Sequence, residues 1–381
     1  MAQSSAEALE AAATTPATQA TDGRRTLPTT MRAAVLGGPG QISVTTKPVP
    51  QVGPEDVLVR VRRATLCGTD LNIRSRAFFG GDGPAPGTFT PGHEYAGEVV
   101  ALGESVDEFA IGDRVVAEAH RGCMRCTNCL IGQYTDCLNN GITAKGHRTQ
   151  GMTVDGGFAE YVVNHVATLH RLPDSISFDE AAALTTAGTV MHALDVLRSL
   201  VVGASVAVIG PGSIGLLCVQ VLRELGAGFI ALSGTRPERL AIGGEYGAHL
   251  LIDVAAEDPI AVVRRATGGR GVDIVLECSG AGVALDQALG MVRRGGDIVL
   301  VGFFNGPVAA DLNAAVMNGV TLHTVRGEGA QSVARAVSLA GQGRIRTAEL
   351  ITHHFPLEQI DAAFDAYANR TDGAIKVMID I

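Results

Sequence analysis

A chain of 381 residues with 46 % hydrophobic side chains is long enough for about two domains with substantial cores. Its net charge of −9 argues against nucleic acid as the main partner, because phosphate binding needs a basic face. It carries no apolar run free of charge and glycine for the length of a membrane span.

Residues 1–30 are rich in Ala, Thr, Ser and Gln and have no hydrophobic core of a secretory signal, so a disordered tail on a cytoplasmic protein is expected. From Met31 to about Asp179, short strand patterns such as Val57-Leu58-Val59-Arg60-Val61 alternate with Gly and Pro, predicting a β-rich, barrel-like domain. Helical periodicity follows over Glu180–Leu197. Ser205-Val206-Ala207-Val208-Ile209 then reads as a strand buried on both faces, and Gly210-Pro211-Gly212-Ser213-Ile214-Gly215 completes a G-x-G-x-x-G turn. Ile214, Leu217, Cys218, Val221, Leu222 and Leu225 give the stripe of a helix packed on a sheet. Strand, turn and helix together favour a dinucleotide site over a plain βα turn, since pyrophosphate needs backbone N–H groups unobstructed by side chains at Gly210, Gly212, Ser213, Ile214 and Gly215.

Alternating segments continue the pattern of a doubly wound α/β sheet: strands at 229–233, 250–252, 272–277, 297–301 and 320–323, and helices at 237–246, 259–267 and 283–292. Mixed short elements from about Ala330 to Ile379 suggest that the chain end rejoins the first domain. The expected division is 31–180 with 328–381 around a nucleotide domain at 181–327. No internal repeat is visible.

Seven cysteines with C-x-x-C spacing read as thiolate metal binding in a reducing compartment. Cys123, Cys126, Cys129 and Cys137, with Gly122 and Gly132 letting the loop at 122–138 fold on itself, suit a closed tetrahedral zinc better than a nucleic-acid-binding ribbon or an iron–sulfur cluster. Cys67 and the pair His93-Glu94 are a second set, suited to a catalytic zinc that keeps one position open.

Taken together, Cys67-Gly68-Thr69-Asp70, the run Gly92-His93-Glu94-Tyr95-Ala96-Gly97-Glu98, the Cys123–Cys137 lobe, Asp155-Gly156-Gly157-Phe158-Ala159-Glu160-Tyr161 and the Gly210–Gly215 turn resemble the zinc-containing medium-chain dehydrogenases of the alcohol, sorbitol and threonine type. The resemblance runs from about Met31 to Ile381. It implies a GroES-like β-rich catalytic domain split around a Rossmann domain, with substrate in the cleft between them, and a homodimer or homotetramer. It further implies Cys67 and His93 as catalytic zinc ligands, Glu94 as their acidic neighbour or a further ligand, and Thr69 as the hydroxyl that takes the substrate proton.

The chain also departs from that family. A third ligand, normally Cys, Glu or Asp, falls on Thr185 or Thr186, and a neutral hydroxyl is a poor zinc donor. His192, about two turns farther on, reads as a packing or surface residue. Asn72 stands where polyol and threonine dehydrogenases carry a relay histidine. Gly234-Thr235-Arg236, where an acid would bind the ribose of NAD, resembles the Gly-Ser-Arg of NADP-using relatives, so NADP is favoured with NAD possible. The expected activity is oxidation of a secondary alcohol, with polyols suggested by the sorbitol and threonine likeness and by Phe78-Phe79-Gly80-Gly81 at the cleft border. The alternatives are an NADPH-dependent carbonyl reductase and a non-catalytic nucleotide-binding sensor or structural protein. Cys218 and Cys278 read as small core residues, Lys376 as a surface or interface charge, and His147 with Arg148 as either cleft-lining or loop-capping.

Overall fold

The computed structural model describes residues 26–75, 84, 86–197, 199–304, 306–329 and 331–381. The Phe78–Gly81 segment and most of the N-terminal tail lie outside the described residues. Six parallel strands form one sheet in the spatial order Leu250–Asp253, Phe229–Gly234, Ser205–Ile209, Val272–Glu277, Val292–Leu300 and Thr321–Thr324. Counted along the chain this is 3-2-1-4-5-6, the doubly wound Rossmann arrangement. Ser205–Ile209 is buried at every residue, which explains its unbroken apolar run, and its helix Ser213–Glu224 packs one face on the sheet. The order reverses between Ser205–Ile209 and Val272–Glu277, so a crevice opens at their carboxyl ends, where Gly210 meets Ser279.

A seven-stranded sheet carries the other half of the chain, with Ile351–Pro356, Lys376–Asp380, Asp56–Thr65, Glu94–Leu102, Arg114–Ala117 and Leu169–Arg171 in spatial order, and Tyr161–His165 also paired to Asp56–Thr65. Lys376–Asp380 lies antiparallel beside Asp56–Thr65, which brings the chain end into the sheet that holds Glu94. One apolar cluster joins the two halves, from Ala96 and Val116 through Leu184 and Val190 to Val206 and Leu216. Gly188 makes this seam possible, since a Cβ there would stand 2.6 Å from Val333 Cγ2.

Two local differences from the sequence reading have simple causes. The expected helix over Glu180–Leu197 is two helices, Phe178–Ala182 and Leu184–Asp195, and it starts early because Ser177 and Glu180 form a capping box. A short helix at Leu312–Asn318 was not expected. It leaves Val316 and Met317 exposed and so carries no core-facing periodicity, although Asp311 caps its start and Gly319, at φ 62°, ends it. Among the described residues, no helix is long and apolar enough to cross a membrane.

Phe158 shows how the core reaches the site. It is fully buried, meets Phe364 edge-on at 6.1 Å, and lies against Gly92, whose φ of 98° and lack of Cβ admit the ring beside His93. Phe158→Ala is expected to cost about 3–5 kcal/mol, read as a lower denaturant midpoint at unchanged m-value. A loss below about 1 kcal/mol would mean that the surroundings collapse into the space.

Candidate active site

Asp70 assembles the first cluster. Its Oδ2 accepts from the Cys67 N–H at 2.9 Å, capping the helix Gly68–Arg74, while its Oδ1 lies 3.3 Å from His93 Nδ1. His93 is thus turned by a buried carboxylate, leaving Nε2 for the side of Cys67. Burial disfavours the imidazolium, but Asp70 and Cys67 outweigh it and raise the His93 pKa well above its ordinary value. Cys67, His93 and Glu94 each place a ligand atom within 4.8 Å of the others. Thiolate, imidazole and carboxylate at that spacing fit a zinc ion. Thr69 lines the same cavity, its hydroxyl 3.9 Å from Cys67 Sγ.

Glu94 is held on every side. Lys376 Nζ donates to Oε2 at 2.5 Å, Thr65 donates to the same oxygen at 2.6 Å, and Thr186 donates to Oε1 at 2.7 Å. Burial would raise this carboxyl, but the ammonium of Lys376, the charge of His93 and the bonds from Lys376 and Thr65 hold it below the ordinary carboxylate range. Lys376 is therefore not a surface or interface charge, as its place near the chain end suggested. It is 1 % exposed and ion-paired, because the last strand packs inside the sheet. Thr185 turns its hydroxyl to the Ala117 carbonyl at 2.8 Å. Neither threonine at the expected third-ligand place is thus idle.

The four sulfurs of Cys123, Cys126, Cys129 and Cys137 also lie within 4.8 Å of one another. Asn139 Nδ2 donates to Cys123 Sγ at 3.1 Å and, with nearby backbone N–H groups, draws its thiol down to about 6, whereas burial and its neighbours push Cys129 up to about 12. Four thiolates so close repel one another unless a divalent cation sits among them, so this group fits a closed zinc site. Gly122 belongs to that fit, since a Cβ there would reach 2.5 Å from Cys129 Sγ.

The glycines of the turn differ in what they allow. Gly210 has φ 102°, Gly215 lies so near Gly210 that a Cβ would reach its carbonyl at 2.0 Å, and Gly212 faces open space at the start of Ser213–Glu224. That is the geometry of a turn that lets an anion approach helix N–H groups. Ser213 and Ile214 line the same cleft, and Gly234, Thr235 and Arg236 line its far end. The cleft holds about 640 Å³ and runs from Cys67, His93 and Glu94 to Arg236 without interruption.

Comparisons with known proteins agree with this geometry. Residues 53–174 match the alcohol dehydrogenase GroES-like domain, and residues 213–341 match the zinc-binding dehydrogenase family. An L-threonine 3-dehydrogenase of Symbiobacterium thermophilum is 36 % identical over 92 % of this chain and 99 % of its own length. A sorbitol dehydrogenase of Bacillus subtilis is 32 % identical over 93 % and 98 %. This chain belongs to the zinc-containing medium-chain dehydrogenases. A putative zinc-binding dehydrogenase from Sinorhizobium meliloti 1021 bound to NADP superposes with a TM-score of 0.81 at 28 % identity, covering 93 % of this chain and all of the other. This dehydrogenase is accordingly an enzyme that oxidises or forms alcohols.

Several residues of the dehydrogenase site carried no role in the sequence reading. Asp70, Lys376, His120 and Glu328 are all buried around the cleft. Only Asp70 left a local signal, as an acid three residues into a helix after Cys67. His147 takes the Gly141 N–H at 3.1 Å and Arg148 pairs with Asp56 at 2.7 Å, so they tie loops rather than line the cavity. His192 packs beneath Gly329, and Cys218 and Cys278 touch at 3.8 Å.

Removing Lys376 strands a buried carboxylate, so Lys376→Met is expected to cost about 3–5 kcal/mol, with much of it recovered in Lys376→Met/Glu94→Gln. A double-mutant cycle of denaturation midpoints checks this, and additive losses would contradict the pairing.

Proposed function

We propose that this dehydrogenase oxidises a secondary alcohol of a hydroxyl-rich substrate, such as a polyol, to the ketone with NADP as cofactor. The observation that carries the reading is the single cleft joining Cys67, His93 and Glu94 to Arg236, whose substrate end presents hydrogen-bonding side chains, among them Asn72, Asn140, Thr149 and Thr153. We assign a catalytic zinc to Cys67, His93 and Glu94 and a structural zinc to Cys123, Cys126, Cys129 and Cys137. Bound zinc supplies a Lewis acid that lowers the pKa of an alcohol oxygen. Thr69 Oγ1 is placed to accept the hydroxyl proton and to pass its own onward, since one oxygen both accepts and donates. Asn72, which cannot change charge, would orient the substrate, and Thr69 would hand the proton on toward solvent.

Gly234, Thr235 and Arg236 support NADP. No acid stands there to repel a 2′-phosphate, and Gly234 has no room for a side chain, because a Cβ would lie 2.2 Å from Pro211 Cδ. Arg236, Arg239 and Arg370 converge on this end of the cleft, and burial together with its two cationic neighbours lowers the Arg239 pKa. A doubly charged phosphate would relieve that repulsion. The similar structure bound to NADP supports the reading.

Reduction of a carbonyl compound by NADPH is the same chemistry reversed. A second substrate reading, an amino alcohol of the threonine type, is favoured by the 36 % identical relative and by the Glu328 carboxylate in the cavity. The exposed Val316 and Met317 beside the edge strand Thr321–Thr324 support a homo-oligomer paired through the Rossmann sheets.

One charge-assisted hydrogen bond is worth about 1.5–3 kcal/mol, so Arg236→Ala is expected to lower the ratio of kcat/KM for NADP to that for NAD by roughly ten- to a hundredfold. Steady-state kinetics with both cofactors measure it. A wild-type preference for NAD, or a ratio unmoved by the substitution, would reject the cofactor reading.

A further inference from the structure

His120 and Glu328 form a buried pair that neither the zinc assignments nor the cofactor turn uses. His120 belongs to the short strand His120–Arg121 of the catalytic half, and Glu328 lies between the last Rossmann strand, Thr321–Thr324, and the helix Ser332–Gly341. Glu328 Oε2 and His120 Nδ1 are 2.9 Å apart, with the two residues 3 % and 7 % exposed. Gly327, at φ 64°, lays its backbone flat against the imidazole, and a Cβ there would stand 2.3 Å from His120 Cε1. The Gly327 backbone thus packs closely on the ring, and the ring's contact with Glu328 orients the carboxylate.

Both residues line the catalytic cavity. Burial opposes ionisation of Glu328, but the hydrogen bond and charge of His120 lower its pKa, so the cavity presents a carboxylate held by an imidazole. Apart from His120 and the backbone N–H of Glu328 itself, no other described residue is shown donating to this carboxylate. Arg326 also lines the cavity, but its guanidinium is bonded to the Thr135 carbonyl. A buried acceptor with a free lone pair favours ligands that donate to it and penalises those that leave it unpaired or bring a like charge.

We propose that Glu328, oriented by His120, is the specificity-determining acceptor of the substrate cavity: it takes a hydroxyl or ammonium donor carried beside the reacting carbinol, and so selects vicinal diols and amino alcohols over simple secondary alcohols and hydroxy acids. This rests on the reading of the cleft as an alcohol dehydrogenase site.

The test compares kcat/KM for 2,3-butanediol, 1-amino-2-propanol, 2-butanol and 3-hydroxybutyrate in the zinc-loaded wild type and in Glu328→Gln and Glu328→Asp. The wild type is expected to prefer one of the donor-bearing substrates at least tenfold over 2-butanol, and whichever wins tells hydroxyl from ammonium. In Glu328→Gln that ratio falls at least tenfold, mainly through KM, 3-hydroxybutyrate gains relative to the diol, and Glu328→Asp restores part of the preference. A preference in the wild type that survives Glu328→Gln within twofold, with all substrates slowed together, would overturn the subsite and leave the donor-rich substrate reading standing. A wild type that prefers 2-butanol or 3-hydroxybutyrate would overturn both. Should Glu328→Gln fail to fold, His120→Asn reads the same ratio through loss of the orienting bond.

Discussion

The Lys376–Glu94 ion pair is the contact on which the catalytic half depends. It spans 282 residues of sequence and ties the last strand of the chain to the first residue of the strand that follows His93. An isolated carboxylate at that depth would protonate or be expelled. With an ammonium and two hydroxyls around it, it stays ionised beside His93 and Cys67, where a cation can use it. The cost of burying the pair is offset only because all three donors are in place, and this explains why Thr186 is a hydroxyl here. At one of the two positions where the family resemblance leads one to expect a metal ligand, this chain supplies a hydrogen bond to Glu94.

The rest of the site follows the same logic of charge placed locally in a protein whose net charge is −9. At one end of the cleft, Arg236, Arg239 and Arg370 concentrate positive charge that the surface as a whole lacks. At the other end, each buried carboxylate meets a cation or an imidazole: Asp70 with His93, Glu94 with Lys376, Glu328 with His120. Between them, Gly210, Gly212 and Gly215 keep the cleft free of side chains. Each half of the chain builds one end of the cleft, and the apolar seam through Leu184, Val190 and Val206 keeps the ends in register.

The clustering of Cys123 to Cys137, the glycine turn after Ser205–Ile209 and most of the alternating strands and helices were legible in the sequence because their residues are close together and their spacing reflects one local geometry. Cys123 to Cys137 is a loop that turns on itself, and Gly210 to Gly215 is one turn of chain. Lys376, Glu328 and His120 were not legible, because what gives them a role is a partner 282 or 208 residues away. Lys376 in particular looked like a terminal surface charge, and only the pairing of its strand with Asp56–Thr65 puts it indoors. The helix Leu312–Asn318 escaped for the opposite reason: its apolar side chains face outward.

Cys67, His93 and a tethered Glu94 are proposed to hold a metal with no ligand from Thr185 or Thr186. Elemental analysis of tightly bound zinc, in the native protein and in Cys67→Ala, tests this assignment most directly. About two zinc ions per chain, falling to about one in the variant, is the predicted result. About one per chain in both would leave only the Cys123–Cys137 site filled and would contradict it.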